Sequence, residues 1–287
     1  MTAQRSRLAD GRLHLNHGPI DLIIEAFGER AEVEAAYDQA WQRFPTILPE
    51  LVRELGLLRR PMGLAMPALE SPVARRMGEA VWPFRQHFIT PMAAVAGAVA
   101  EEMLAALTRG RDLARAYVND GGDIALHLAP GERFAIGVVA ELKAPAIAGR
   151  AEIAASDAVR GIATSGQGGR SFSLGIADAV TVLARRAADA DAAATMIANA
   201  VDLDHPAIQR RPAESLDPDS DLGELPVTVA VGDLSRSEVA AALDLGALRA
   251  MEYGRAGLIL AAMLQLRGDR RIVSTDGYSH PQVSRDR

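Results

Sequence analysis

Apolar and polar positions alternate most clearly near the N-terminus, where RLHLNHGPIDLIIEA (12–26) forms two period-2 runs around an Asn-His-Gly-Pro turn. Strict alternation marks a half-buried strand, so this segment predicts a β-hairpin. The period then changes. From Glu29 to Phe44, the residues Ala31, Val33, Ala36 and Trp41 recur on related faces and predict a helix. Pro45 and Pro49 are read as its end, because proline removes a donor and crowds the preceding turn. A second helix is expected over 50–58. The Pro- and Gly-marked stretch RRPMGLAMPALESP (59–72) is the best boundary in the first half, and a short helix over 73–81 follows.

Thr90-Pro91 opens a long helix of small residues, PMAAVAGAVAEEMLAALT. Threonine caps well and proline suits the first helical position. Strands at 115–118 and 124–128 flank NDGGD, and a third at 134–139 follows a Pro-Gly turn; these and the strand near 177–184 are expected to share one sheet crossed by the helix of 91–107. Ala163, Thr164, Ser165 and Gly166 read as a small-residue turn, 179–183 as a strand, and the alanine-rich run after it as a helix. Residues 202–224 read as a polar connection and 227–231 as a strand. A helix is expected over 235–248. Residues 254–266 read as a helix, or a helix followed by a strand, and the tail from Ser274 as frayed. Strands and helices mixed without strict βαβ alternation indicate an α+β fold. The organisation expected is a hairpin-plus-helices segment (1–72) integrated with a core (73–270), then a tail (271–287), in one structural domain.

Composition narrows the function classes. A chain of 287 residues with net charge −6 lacks the clustered basic surface that nucleic acid requires. The absence of cysteine excludes disulfides, thiolate zinc sites and cysteine nucleophiles. MTAQRSRLADGRLHLNHG has no apolar core of signal-peptide length, and no run of 18 apolar residues suggests a membrane span, so a cytoplasmic, membrane-free protein is expected. The six histidines show no ligand spacing; His87, near Trp82 and Phe84, is the one best placed to line a pocket.

The chemistry concentrates between Gly161 and Val201. Asp191 and Thr195 are four apart on the expected helix and therefore share a face. A carboxylate and a hydroxyl stacked this way can hold magnesium, which prefers oxygen ligands and usually keeps substrate phosphates in its shell. A helix-dipole role for the aspartate and a back-bonded threonine fit the same spacing. Arg160 and Arg170 flank the Thr-Ser-Gly segment and are read first as surface arginines.

Four segments in order, AVAGAVAE (94–101), YVNDGGDIALH (117–127), GIATSG (161–166) and ADAVTVLARRAADADAAAT (177–195), resemble the ApbE superfamily. Its best-known members are magnesium-dependent FAD:protein FMN transferases. FITPMAAVAGAVAEE and RGIATSGQGGRSFSLGIADAVTVLA look closer still to an uncharacterised protein family (UPF) branch, a resemblance that spans about residues 10–270.

The resemblance implies an ApbE-like fold and a small-molecule, nucleotide-like ligand, FAD or FMN. Asn119, Gly121, Gly122 and Asp123, with Thr164, Ser165 and Gly166, would line the nucleotide site; Asp191 and Thr195, with a backbone carbonyl near Gly97 as third ligand, would hold Mg2+. The implied function is cleavage or transfer at a pyrophosphate, or non-catalytic flavin or pterin binding in the same cleft. The chain also departs from the transferases. Ala96 stands at their lysine position and Glu101 at their aspartate position, and Ser171 runs to Ala177 without their His-x-x-Asp-Pro-x-Thr-Gly loop. The general base and the oligomeric state stay unassigned. Asp276, Gly277, Tyr278 and Ser279 match only the first half of the family's acceptor signature, which His280 and Pro281 break.

Overall fold

The N-terminal alternation folds as the pattern predicts: β2 and β3 pair across a turn with Gly18 at φ 60°. The computed structural model describes residues 2–139, 147–169 and 171–275. They form two compact units whose sequence segments interleave. The first takes 1–134, 153–163 and 184–192, and the second takes 135–152, 164–183 and 193–287.

The first unit begins with β1 (Gln4–Arg7), β2 (Leu13–His17), β3 (Ile20–Gly28), α1 (Arg30–Leu58), α2 (Pro72–Val81) and α3 (Val95–Thr108). It continues through β4 (Leu113–Asp120) and β5 (Asp123–Leu128). After β6 (Arg133–Val139) and β7 (Ile147–Ala154) come the first residues of β8 (Gly161–Ser165). The second unit holds most of β9 (Ala179–Ala184). It then takes the end of α4 (Ala187–Ala200), β10 (Ile208–Pro212), β11 (Pro226–Val231), α5 (Arg236–Arg255), β12 (Ala261–Leu266) and β13 (Asp269–Ser274).

In the first unit the antiparallel order is β1-β2-β3-β4-β5-β8. Leu13, Leu15, Leu22, Ile24, Ala116 and Val118 are fully buried, so one face of this sheet carries the core. α3 lies across β4 and β5 and also packs on α1 and α2. The stretch Pro91–Thr108, a 3-10 turn continued by α3, is long and apolar enough to cross a membrane by length and composition, yet it also carries Glu102, a buried carboxylate. Glu102 accepts from Arg43 at 2.8 Å and Arg76 at 3.1 Å, tying α3 to α1 and α2. In the second unit β9-β12-β13 form an antiparallel ladder covered by α5, whose first turn closes in a Ser235–Glu238 capping box.

The fold class is α+β, as the alternation implies. Several local expectations are corrected. Pro45 and Pro49 do not divide α1, which runs unbroken to Leu58. Phe44, Ile47 and Leu51 bury on either side of the prolines, and Arg43 bridges Glu50 at 2.8 Å, so tertiary packing outweighs the lost backbone bonds. Thr90 caps a 3-10 turn, Pro91–Ala94, and α3 proper starts at Val95 with no side-chain cap of its own. Strand β6 does not join β4 and β5; it pairs with β7 in a separate sheet, because β8 takes the open side of β5 through Ile124 and Ile162. Of the expected turn at 163–166, Ala163 to Ser165 form the end of strand β8 and Gly166 follows it. β10 lies within the expected polar connection, and β13 runs through Ser274, where fraying was expected to begin. Helix α5 extends to Arg255, leaving 261–266 as strand.

Candidate functional site

NDGGD is the tip of the β4–β5 hairpin. Asp120 pairs with Asp123, and Gly121 and Gly122 sit between them at φ 64° and 119°. Two successive positive φ values suit glycine and match the turn to the twist of the strands. Asn119 Oδ1 accepts the Gly122 N–H at 2.8 Å and locks the loop. Alternation along β4 turns Ala116, Val118 and Asp120 to the core face, so a carboxylate only 4% exposed ends a row of apolar residues.

At the start of α3 the Val95 N–H is accepted by Met92 O of the preceding 3-10 turn, and N–H groups further into the first turn call for acceptors from outside the helix. Asp191 supplies one from α4: its Oδ2 accepts the Gly97 N–H at 3.0 Å, and the Ala96 N–H also favours its charged form. The exchange is reciprocal. Glu101 of α3 reaches back and accepts the Ala188 N–H of α4 at 2.9 Å. Contact this close requires glycine: a Cβ on Gly97 would lie 2.4 Å from the Ala187 carbonyl oxygen. A Cβ on Gly161 would lie 2.2 Å from the Ala187 nitrogen, so two glycines grip the entry to α4 from two elements.

By surface area Asp191 is half-buried, yet protein surrounds its carboxylate closely enough for desolvation to dominate. Burial pushes its carboxyl up to about 7, and the nearby charge of Asp120 pushes the same way against the two N–H donors. Burial likewise raises Glu101, opposed by the Ala188 N–H and by Arg186 and Arg76.

The first unit thus brings Asp191 and Gly97 together, with Asp120 close by; sequence reasoning passed over Asp120. Its signal was a carboxylate at an inward position of the alternation in LARAYVND. Gly97 meets Asp191 through its N–H. Thr195 lies one helical turn beyond Asp191 on α4, in the part assigned to the second unit. Thr164, Ser165 and Gly166 also belong to that unit. There Thr164 Oγ1 and Thr181 Oγ1 are 3.0 Å apart, and Gly166 lies against the backbone of Asp178 and Ala177.

Arg160 donates to the carbonyls of Ala155, Asp157 and Val159 and so fastens its own loop. His87 is exposed. Arg170 and residues 276–281 lie outside the described residues.

Among the described residues no three histidine or acidic side chains converge as a metal cluster. The donor set is nevertheless suited to magnesium: carboxylate oxygens without histidine, too few to complete an octahedral shell without waters or substrate phosphates.

Comparison with known proteins agrees with the family resemblance. The family model described as AbpE bacteria matches residues 5–272. A UPF0280 protein of Methanopyrus kandleri is 38% identical over 140 residues, covering 48% of this chain and 54% of that protein. One of Methanothrix thermoacetophila is 39% identical over 132 residues, covering 45% and 52%. The matched segment therefore spans about half the length of these curated relatives. Among solved structures, the ApbE protein of Thermotoga maritima aligns over 96% of each chain at 11% identity, with a TM-score of 0.46.

Proposed function

The chain belongs to the AbpE bacteria family, and from that premise we propose that it binds a flavin nucleotide or a related phosphorylated heterocycle and acts with Mg2+ on its pyrophosphate, by cleavage or transfer. The observation that carries the reading is the Asp191 carboxylate, held at the start of α3 by the Gly97 N–H with Asp120 close by. In this proposal Asp191 and Thr195 hold the metal, with Asp120 contributing negative charge nearby. Mg2+ supplies charge neutralisation at phosphate oxygens and stabilises charge developing at a leaving phosphate. The Gly121–Gly122 turn brings backbone close to the nucleotide, and Asn119 keeps that turn in shape. Thr164, Ser165, Gly166 and Asp123 complete the proposed nucleotide-binding set.

Thermal melts of wild type and Asp191→Asn with FAD, with and without MgCl2, test the binding step. A ligand at 100 times its dissociation constant adds about 2.7 kcal/mol, which a melt resolves. Wild type is expected to gain stability only when both are present, and the variant to lose that gain. Magnesium-independent stabilisation, equal in the two proteins, sinks the metal assignment.

A second reading, binding without turnover, is favoured by two specific features: Ala96 replaces the transferase lysine, and the chain lacks the His-x-x-Asp-Pro loop. Chromatography separates the two, because hydrolysis of FAD releases FMN and AMP whereas a binding protein returns FAD intact. Transfer of FMN to a protein hydroxyl needs an activated acceptor as well as a held pyrophosphate. No flavin is therefore expected on an acceptor bearing Asp-Gly-x-Thr-Gly-Ala; covalent fluorescence on a denaturing gel would overturn that. The proposal places the protein in the cytoplasm, which immunoblotting of cell fractions checks.

A further inference from the structure

Two bonds cross between α3 and α4 in opposite directions. Gly97 N–H of α3 donates to Asp191 of α4, and Ala188 N–H of α4 donates to Glu101 of α3. Gly97 and Glu101 are one turn apart on their helix, and Ala188 and Asp191 nearly so on theirs. The four groups form a closed clamp, each helix capping the first turn of the other. Neither helix can slide along its partner without breaking both bonds. Beneath the clamp the backbones are already in contact at Gly97 and Ala187, so sideways adjustment is blocked too.

The clamp bears on the proposed metal site. Asp191 spends one carboxylate oxygen on Gly97, and its aim is set by where α4 rests on α3. Glu101 fixes that resting place from the opposite side, and its carboxylate is 15% exposed with Arg76 Nε 3.9 Å away. We infer that Glu101 is a positioning residue: through the Ala188 N–H it holds α4 in the register that presents Asp191 to a divalent cation. The metal half of this inference rests on the proposed function; the clamp itself does not.

The test uses the full chain and three variants. Glu101→Gln keeps an oxygen at the same reach, Glu101→Asp keeps the charge but falls short of Ala188, and Glu101→Ala removes both. Amide exchange is followed at Ala188 and Gly97, and Mn2+ alone is titrated by its paramagnetic resonance signal. Glu101→Asp and Glu101→Ala are expected to speed exchange at Ala188 and also at Gly97, which Glu101 does not cap. Mn2+ affinity should fall about tenfold or more in both, the usual cost of losing support behind a ligand. Glu101→Gln should keep both amides protected and Mn2+ affinity near wild type. Unchanged Gly97 protection in a folded Glu101→Asp or Glu101→Ala protein overturns the clamp, and loss of Mn2+ binding in Glu101→Gln with both amides still protected overturns the positioning role. Should wild type bind no Mn2+, the metal reading fails, and Gly97 exchange alone decides whether Glu101 positions Asp191.

Discussion

At the scale of single residues, Asp191 carries the clearest pH signature. Its folded carboxyl is raised to about 7 from 3.8, so between those values the folded state holds a proton the unfolded state has released. Stability from this group therefore rises as pH falls through the window and is lost as pH climbs towards 7 and beyond. Melts at pH 8 and pH 5.5 should show wild type gaining at the lower pH, and Asp191→Asn showing no such gain. At pH 8 the variant should exceed wild type by about 2–4 °C, the shift that about 1 kcal/mol makes in a chain of this size. Magnesium should act with the opposite sign, stabilising wild type more as pH rises through 7, because the metal needs the deprotonated carboxylate. Asp120→Asn removes a neighbouring charge and should move both transitions to lower pH. Asp191 was legible from its spacing with Thr195 and from the family motifs. Asp120 was not, because within NDGGD it reads as an ordinary turn residue; only its inward place on β4 separates it from Asp123.

At the scale of elements, fit between backbones decides the outcome. Gly97→Ala and Gly161→Ala would each drive a methyl into peptide atoms of residues 186–188, which cannot rotate away. Each should cost about 1–3 kcal/mol or more, the usual range for overpacking, measured by urea denaturation. Gly122→Ala meets no atom but holds φ 119°, so its penalty is conformational and local to the hairpin tip. Alternation located β2 and β3 because each has one buried face, whereas the Thr-Pro opening marked the approach to α3 and alanine richness marked α4, which is buried on nearly every side. Sequence pattern failed at α1, where local proline chemistry is overruled by Phe44, Ile47 and Leu51 packing beneath it. It failed again at β10 and β13: β10 is mostly polar, and Arg270 and Arg271 lead into Ile272 and Val273 on a strand ending its ladder. The reciprocal caps of α3 and α4 escape any local pattern, since each joins residues nearly ninety positions apart or more.

At the scale of the whole molecule, the α+β class was legible but the way the chain is shared between two units was not, since that depends on contacts between distant segments. We propose that residues 1–72 are inseparable from the 73–270 core. The basis is pairing within the first unit, where Leu22 to Ala26 of β3 run beside Asp120 to Ala116 of β4. A 73–270 fragment should therefore show no cooperative melt by circular dichroism, whereas a two-domain protein split at that point would retain one. The interleaving also gives the molecule a timetable. The first unit begins with residue 1 but is complete only when 184–192 have been made, after much of the second unit's early sequence has emerged. At about 5–20 residues per second of synthesis, the scaffold around Asp120 waits several seconds for Asp191, so the acidic site is among the last parts of its unit to exist on the ribosome.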